Sequence, residues 1–369
     1  MTLHITNGDA TVTVMEKAGL GGEVLPWRDV LHEGSVPAGL SLAQMSEVRA
    51  QFIADCGWQT REKAWADFRA RDTKLASFRE YQEVILWFEH DLYDQLQLLQ
   101  ILDWFAGQDF NDTSLSMICA GDYLGTMQPE SLAALYPLRR TVLPEHLELG
   151  VKAWSAFCSP DPTCWENLLA IDSAVLPFLG ASVLRHLEQY PSLKNGANRT
   201  EEGILKAVQD GNSNPGKIFA AAQACEESRF MGDSLFWLYL ARMTQSKRPL
   251  LRSSHRRFVL PSLCASWSEF NEQQIVITQA GERVLANELD WIEINGIDKW
   301  LGGVHLTSRA AENASYASLR SPDSLQRTEA YVSAHRASHA LPLRSFEQPA
   351  TENLWRWDSE TQRLISGRR

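Results

Sequence analysis

Four short apolar runs alternate with amphipathic, helix-like stretches in the first 150 residues. The runs are TLHIT, EVLPW, EVILWF and LSMICA, which begin at residues 2, 23, 83 and 115. After the third run, leucines recur on one face of a helix from Leu92 onwards, until Gly107 ends the pattern. Parallel strands need crossover connections, which usually contain a helix. The pattern therefore predicts an α/β fold, with a parallel, doubly wound, Rossmann-like sheet over residues 1–150.

The rest of the chain is mostly helical in pattern. Residues 151–198 are predicted to form a helical linker or cap. Over residues 199–306, three helix starts precede the strand-like run QIVIT and a further helix, an order that resembles a winged helix-turn-helix module. Residues 307–353 are rich in Ser, Ala, Arg and Glu and are predicted to be a flexible insert. The run LWRWD predicts a last strand, so residues 354–369 form a terminal strand and tail.

Composition and charge narrow the class of protein. The 369 residues suit two or three domains, and 44% apolar with 22% charged residues is typical of a globular protein. No run approaches the roughly 18–20 apolar residues of a membrane span, and the start lacks signal-peptide character, so we expect a cytoplasmic protein without membrane contact. The six cysteines contain no C-x-x-C pair, which excludes zinc-ribbon and thioredoxin-type sites and predicts buried thiols.

The net charge of −11 is confined to one part of the chain. Residues 1–150 carry 22 acidic against 11 basic side chains, whereas the remaining residues carry 24 of each. An acidic domain repels a phosphate backbone. Nonspecific nucleic-acid binding through the first 150 residues is therefore disfavoured.

Polar side chains collect where each of the four apolar runs ends. Ligands of an open parallel sheet bind outside the carboxyl ends of its strands, so we expect these side chains to share one crevice. Carboxylates and imidazoles in a crevice can bind a hard metal ion or transfer protons. The residues are Asn7, Gly8 and Asp9 after the first run, Asp29, His32 and Glu33 after the second, Glu89, His90, Asp91, Asp94 and Gln95 after the third, and Asp122 after the fourth.

We expect these residues to bind a metal ion, to transfer protons or to contact the ligand. Asp9, Glu89 and Asp94 are the predicted metal ligands, and their oxygen donors suit a divalent ion such as Mg²⁺ or Mn²⁺, although the sequence identifies no cofactor outright. His32, His90 and Asp9 are the predicted catalytic groups, acting as general acid or base. The predicted ligand-binding residues are Asn7, Gly8, Asp29, Glu33, Asp91, Gln95 and Asp122.

Ordinary structural roles are the alternative at each position. Asp9 and Asp91 suit helix starts, and Asp122 suits a turn. Histidine is not a favoured helix cap, so capping does not explain His32 and His90. Each of them either faces the site or is a structural histidine in the core or on the surface.

Two hypotheses of function remain open. Phosphate loops, G-x-G-x-x-G after a strand, G-x-S-x-G and H-E-x-x-H are all absent from the sequence. The first hypothesis is a metal-assisted hydrolase or transferase that acts on a nucleotide-like or phosphorylated small molecule. The second is a small-molecule-sensing regulator or interaction protein, whose winged-helix-like part contacts a partner.

The third helix of the winged-helix-like region argues against sequence-specific DNA binding. Residues 235–240, LFWLYL, offer almost no polar side chain to a base edge, so the helix is expected to be buried. Basic residues follow it from Arg242 to Arg257, either as a solvated surface or as a stripe that binds anions or a protein partner.

Several segments resemble a bacterial family of proteins with a domain of unknown function. They include LHITNGDA, EVLPWRDVLHEGSVPAGL, VILWFEHDLYDQLQLLQILDWF and WLGGVHL, with a GD motif and an EHD-x-x-DQ motif. The resemblance spans most of residues 2–306 and resumes at 354–358. It implies family membership and carries no activity, cofactor or catalytic residue. The long stretch from 307 to 353 departs from the short connection expected in that family.

Overall fold

A five-stranded sheet forms the centre of the N-terminal part in the computed structural model, which describes residues 1–254, 258–261, 266–308 and 353–367. The strands of the whole chain are β1 Thr2–Thr6, β2 Glu23–Pro26, β3 Gly34–Ser35, β4 Glu83–Glu89, β5 Ser114–Ala120, β6 Arg140–Thr141, β7 Leu251–Ser253, β8 Ile275–Ile277, β9 Asp298–Gly302, β10 Val304–Thr307, β11 Trp355–Asp358 and β12 Arg363–Ser366. The large sheet has the order β2-β1-β4-β5-β6. Its first four strands are parallel, as predicted, and β6 is antiparallel to β5.

Helices connect these strands and make up most of the C-terminal part. They are α1 Asp9–Ala18, α2 Leu42–Asp55, α3 Arg61–Ala76, α4 Leu92–Ala106, α5 Pro129–Leu135, α6 Pro144–Cys158, α7 Thr163–Glu166, α8 Leu179–Leu187, α9 Arg199–Gln209, α10 Pro215–Ala224, α11 Asp233–Gln245, α12 Trp267–Glu272, α13 Gln279–Leu285 and α14 Trp291–Asn295. The structure thus confirms an α/β N-terminal part followed by a largely helical region.

The strand order reverses between β1 and β4. The chain passes from β1 to β2 on one side and then returns to place β4 on the other side of β1. The register pairs Thr6 with Trp87, so the ends of β1 and β4 lie side by side. This position at the carboxyl edge is where ligands bind in open α/β sheets.

The apolar run of β4 is continuous because both faces of the strand are buried. Val84, Leu86 and Phe88 pack in the core that also holds the leucines of α4. Ile85 and Trp87 pack in a second core with residues of α1 and α5. Helices on both faces of a parallel sheet require this pattern, in contrast to the alternating pattern of a half-exposed strand.

A strand pair lies near the end of the C-terminal part. β9 and β10 run antiparallel, because Gly302 has a φ of +58° that reverses the chain there. β9 also pairs with β3 in parallel, which joins residues 34–35 to the C-terminal part. The predicted domain boundaries stay predictions.

Other sequence predictions have mixed outcomes. Every residue of α11 from 235 to 243 is buried, as expected for that helix. The thiols of Cys164 and Cys225 are exposed, so the prediction of buried thiols is wrong for these two. Most of the predicted 307–353 insert lies outside the described residues, as do Arg256, Arg257 and Cys264. The helices that the structure describes include none long and apolar enough to cross a membrane.

Candidate functional site

Three buried carboxylates meet at the carboxyl edge of the sheet, where β4 leads into α4. Each of Glu89, Asp91 and Asp94 offers an oxygen within 4.8 Å of the other two. The backbone N–H of Glu89 donates to Oδ1 of Asp94 over 2.7 Å, which folds the first turn of α4 back against the end of β4. We call these three residues the acidic group.

Neighbouring residues fix each carboxylate of the acidic group. The amide of Asn7, just after β1, donates to Oδ2 of Asp94 over 2.8 Å. Oε1 of Glu89 accepts a 2.7 Å hydrogen bond from the backbone N–H of Leu124. Asp91 is the N-cap of α4, and its Oδ1 accepts the N–H of Asp94 over 3.2 Å. The group is therefore held from the residue after β1, from the turn after β5 and from the first turn of α4 itself.

The electrostatics of the acidic group favour a bound cation. Burial, and repulsion by Glu89, raise the pKa of Asp91 to about 7. Burial and the charges of the other two carboxylates hold the pKa of Asp94 well above its usual value, and burial raises the pKa of Glu89. Among the described residues, no Lys, Arg or His forms an ion pair with any of the three. A divalent ion would relieve both the repulsion and the burial cost, and an all-carboxylate donor set fits Mg²⁺ or Mn²⁺.

A half-buried histidine lies beside the acidic group. The ring of His90 lies 5.0 Å from that of Tyr123 and 5.8 Å from that of Phe178, and its Nδ1 is buried without a hydrogen-bond partner in the described structure. The exposed guanidinium of Arg229 lies 5.0 Å from the ring centroid of Tyr123. The hydroxyl of Tyr123 also accepts from the backbone N–H of Arg229 over 2.5 Å, so His90, Tyr123 and Arg229 place an imidazole, a phenol and a cation next to one another after β4 and β5.

The other residues predicted at the ends of β1 and β5 lie outside the acidic group. Asp9 begins α1 with its carboxylate 71% exposed and ion-paired with Arg28, so it is not a member of the acidic group. Asp91, predicted only to contact a ligand, is the third member. Asp122 is exposed, and Gly8 is the extended N-cap residue of α1 with open space around it.

The amide of Gln95 acts within the fold. It donates to the carbonyl oxygen of Glu89 over 2.7 Å, and the side chain is buried. This bond steadies the turn from β4 into α4 and occupies one amide N–H of Gln95, a residue predicted to contact a ligand.

The residues after β2 form a separate, interior network. Asp29 pairs with Arg49 over 2.8 Å, and both side chains are fully buried. Glu33 pairs with Lys299 over 2.8 Å and also accepts from the hydroxyl of Tyr239, a residue of α11. These carboxylates therefore neutralise buried cations, which connects the segment after β2 to the C-terminal part.

His32 lies near the cations of this network, Arg49 and Lys299, and is not a member of the acidic group. Its ring is fully buried, 5.0 Å from Phe230 and 6.0 Å from Tyr93, and neither ring nitrogen has a hydrogen-bond partner among the described residues. Burial holds the pKa of His32 well below its usual value, with the nearby His186 as the next cause. His186 was not among the predicted residues, although the polar positions of α8 recur at helical spacing within an apolar helix.

Neither a known protein family nor a curated protein matches the chain. The resemblance to a bacterial family with a domain of unknown function therefore stays a prediction.

Proposed function

We propose that this protein is a divalent-metal-dependent hydrolase or transferase acting on a phosphorylated or nucleotide-like small molecule. Glu89, Asp91 and Asp94 would hold the ion. One observation carries the proposal: three buried carboxylates with raised pKa values meet where the strand order reverses. Among the described residues, no Lys, Arg or His forms an ion pair with them. A Rossmann-like, doubly wound sheet supports the same location, because such folds bind ligands there.

The surrounding side chains suit this chemistry. A bound Mg²⁺ or Mn²⁺ ion would polarise a phosphoryl oxygen and lower the pKa of a bound water. His90 is half-buried and stands between Glu89 and Asp91 in the sequence, and it would move the proton of the attacking or leaving oxygen. Arg229, exposed and next to Tyr123, would balance the charge of a phosphate group. Asn7 would keep Asp94 in place through its 2.8 Å hydrogen bond.

Metal binding is the direct test, and Asp91→Asn is the sharpest variant. Asn is as good an N-cap as Asp, so the variant should keep α4 while removing one negative charge. We expect Mg²⁺ or Mn²⁺ to raise the melting temperature of the wild type, and calorimetry to show about one ion per chain. Asp91→Asn should lose most of this response. Asp122→Asn, at the exposed end of β5, is the matched control and should keep it.

The proposal fails if the wild type binds neither ion at millimolar concentration. It also fails if Asp91→Asn and Asp122→Asn bind the ion equally well. If the ion binds as expected, phosphatase and nucleotidyl-transfer assays with the ion present separate a hydrolase from a transferase.

A ligand-sensing regulator or interaction protein is the second proposal. Its support is the order α9, α10, α11, β7, α12, β8, in which three helices precede an antiparallel strand pair that encloses a short helix; this order is similar to a winged helix-turn-helix module. The burial of α11 leaves no side chain from 235 to 243 to read base edges, so a protein partner suits this region better than DNA. Fluorescence anisotropy on mixed duplexes tests the point, and sequence-selective binding at physiological salt would contradict it.

A further inference from the structure

One face of α8 and the turn after it is polar and yet buried. Ser182, Arg185, His186 and Gln189 follow one another at helical spacing, and all four are buried. Each has a side-chain nitrogen or oxygen without a hydrogen-bond partner in the part of the chain that the structure describes. We call these four residues the α8 polar face.

His32 faces the same region from the segment after β2. The guanidinium carbon of Arg185 lies 4.7 Å from the centroid of the Phe230 ring, and the ring of His32 lies 5.0 Å from that of Phe230. His186 is one of the groups whose charge acts on His32. On its other side, His186 lies 5.7 Å from the ring of Trp165, whose N–H is also buried and without a partner among the described residues.

Most of the available polar atoms are hydrogen-bond donors. Arg185 uses Nε and one terminal nitrogen on Glu226 and Thr200, which leaves Nη1 available. Gln189 accepts from Thr200 through its oxygen and keeps its amide N–H groups available. Neutral imidazoles add one N–H each. Buried donors require partners, because an unpaired donor loses its hydration without compensation.

The chemistry of these donors decides which partner suits them. Arg49, Lys299 and Arg185 lie near His32, but each is already paired with a carboxylate, namely Asp29, Glu33 and Glu226. A guanidinium N–H and an amide N–H donate to oxygen atoms and cannot ligate a metal cation. Among the described residues, His32 and His186 belong to no group with metal-ligand spacing. A ligand with several acceptor oxygens is therefore the better match.

We propose that His32 and the α8 polar face form an internal binding site for a small oxyanion, such as a carboxylate or phosphate group. Arg185, His186 and Gln189 would donate to its oxygens from α8, and His32 would donate from the opposite side. The site lies where the segment after β2, α8 and the Phe230 segment meet, so a bound anion would hold these three parts together. It is separate from the metal-dependent function proposed above and does not depend on it.

The test uses the full chain in EDTA, which prevents phosphate from binding through a metal ion at the acidic group. Inorganic phosphate and acetate are each titrated against sodium chloride at matched ionic strength. We expect saturable binding of one oxyanion per chain by equilibrium dialysis, with a melting temperature raised by a few degrees near saturation. Tighter binding of phosphate or of acetate identifies which oxyanion the site prefers.

Aromatic replacements locate the site. His186→Phe and His32→Phe keep a ring in place and remove only the nitrogens, and each should weaken binding by about tenfold or more. His305→Phe is the matched control, because His305 stacks on Trp300 at the surface, and it should bind as the wild type does. Should one histidine variant fail to fold, the other makes the same test.

Two results would overturn the proposal. One is a wild type that binds neither oxyanion and melts alike in phosphate, acetate and chloride. The other is oxyanion binding that is equal in the wild type, His186→Phe, His32→Phe and His305→Phe. Either result would mean that the donors of the α8 polar face are satisfied by water alone.

Discussion

The side-chain amide of Asn7 donates a 2.8 Å hydrogen bond to Oδ2 of Asp94, and this bond joins the ends of two neighbouring parallel strands. Asn7 follows β1, and Asp94 lies in the first turn of α4, after β4. The hydroxyl of Thr11 donates to Oδ1 of Asn7 over 3.0 Å, which orients the amide towards Asp94. The acidic group is thus fixed relative to the turn that leads from β1 into α1.

Replacing Asn7 tests this connection. Asn7→Ala removes the donor to a buried carboxylate, so we expect the free energy of unfolding to fall by about 1–3 kcal/mol. Thr11→Val removes only the hydroxyl that orients the amide, and its loss should be smaller. Urea denaturation measures both variants, and an Asn7→Ala protein as stable as the wild type would contradict the structural role.

The raised pKa of Asp91 predicts a pH dependence of stability. An unfolded Asp titrates near 3.8, whereas burial raises the pKa of folded Asp91 to about 7. Between these values the folded chain keeps a proton that the unfolded chain has released, so rising pH lowers the free energy of unfolding. Asp91→Asn should reduce this decline between pH 4 and 7, and added Mg²⁺ should reduce it in the wild type. Melting curves from pH 4 to 7, without metal and with added Mg²⁺ and with Asp122→Asn as control, check both expectations.

His186 predicts the opposite trend at low pH. Burial, together with the charges of Lys299 and Arg185, lowers its pKa from 6.5 to about 3. Between these values the unfolded chain binds a proton that the folded chain does not, so falling pH destabilises the fold. His186→Phe should therefore lose less stability than the wild type on acidification from pH 6.5 to 4, as measured by chemical denaturation. An unchanged acid profile in this variant would show that the imidazole is not desolvated.

The buried pair of Glu33 and Lys299 makes a fourth prediction. Lys299→Met removes the cation that balances Glu33, and breaking a buried pair in this way costs about 3–5 kcal/mol. The double variant Glu33→Gln with Lys299→Met should recover much of this loss, because no excess charge stays buried. Lys194→Met, at an exposed pair with Glu360, should change stability by less than ~1 kcal/mol. A Lys299→Met loss as small as that of Lys194→Met would contradict the prediction.

The apolar runs predicted the four parallel strands because buried strands need side chains that suit both faces. The short strands β6 and β3 contain no apolar run that would predict them. β6 contributes two exposed residues, Arg140 and Thr141, and pairs only through its backbone. β3 is a Gly-Ser pair whose partner, β9, comes much later in the chain. Strands this short are defined by their partners, and the partner of a strand is a property of the folded chain.

The candidate site was predictable where its geometry is local. Glu89, Asp91 and Asp94 lie within six positions, and the end of a strand leading into a helix cap brings them together. The roles of Asp9 and Glu33 were not predictable in the same way. Their carboxylates pair with Arg28 and Lys299, and the sequence does not show which cation will face a given carboxylate after folding.

The pairing of β3 with β9 also has a consequence for synthesis on the ribosome. Gly34 pairs with Leu301, so the segment after β2 emerges long before its strand partner. At roughly 5–20 residues per second, the interval is on the order of 10–50 s. During that time the Glu33 carboxylate lacks its partner Lys299, and the backbone of β3 lacks its partner strand. Both are exposed to incorrect association with other chains. The last step of folding is therefore set by the arrival of the C-terminal part, however early the parallel sheet forms.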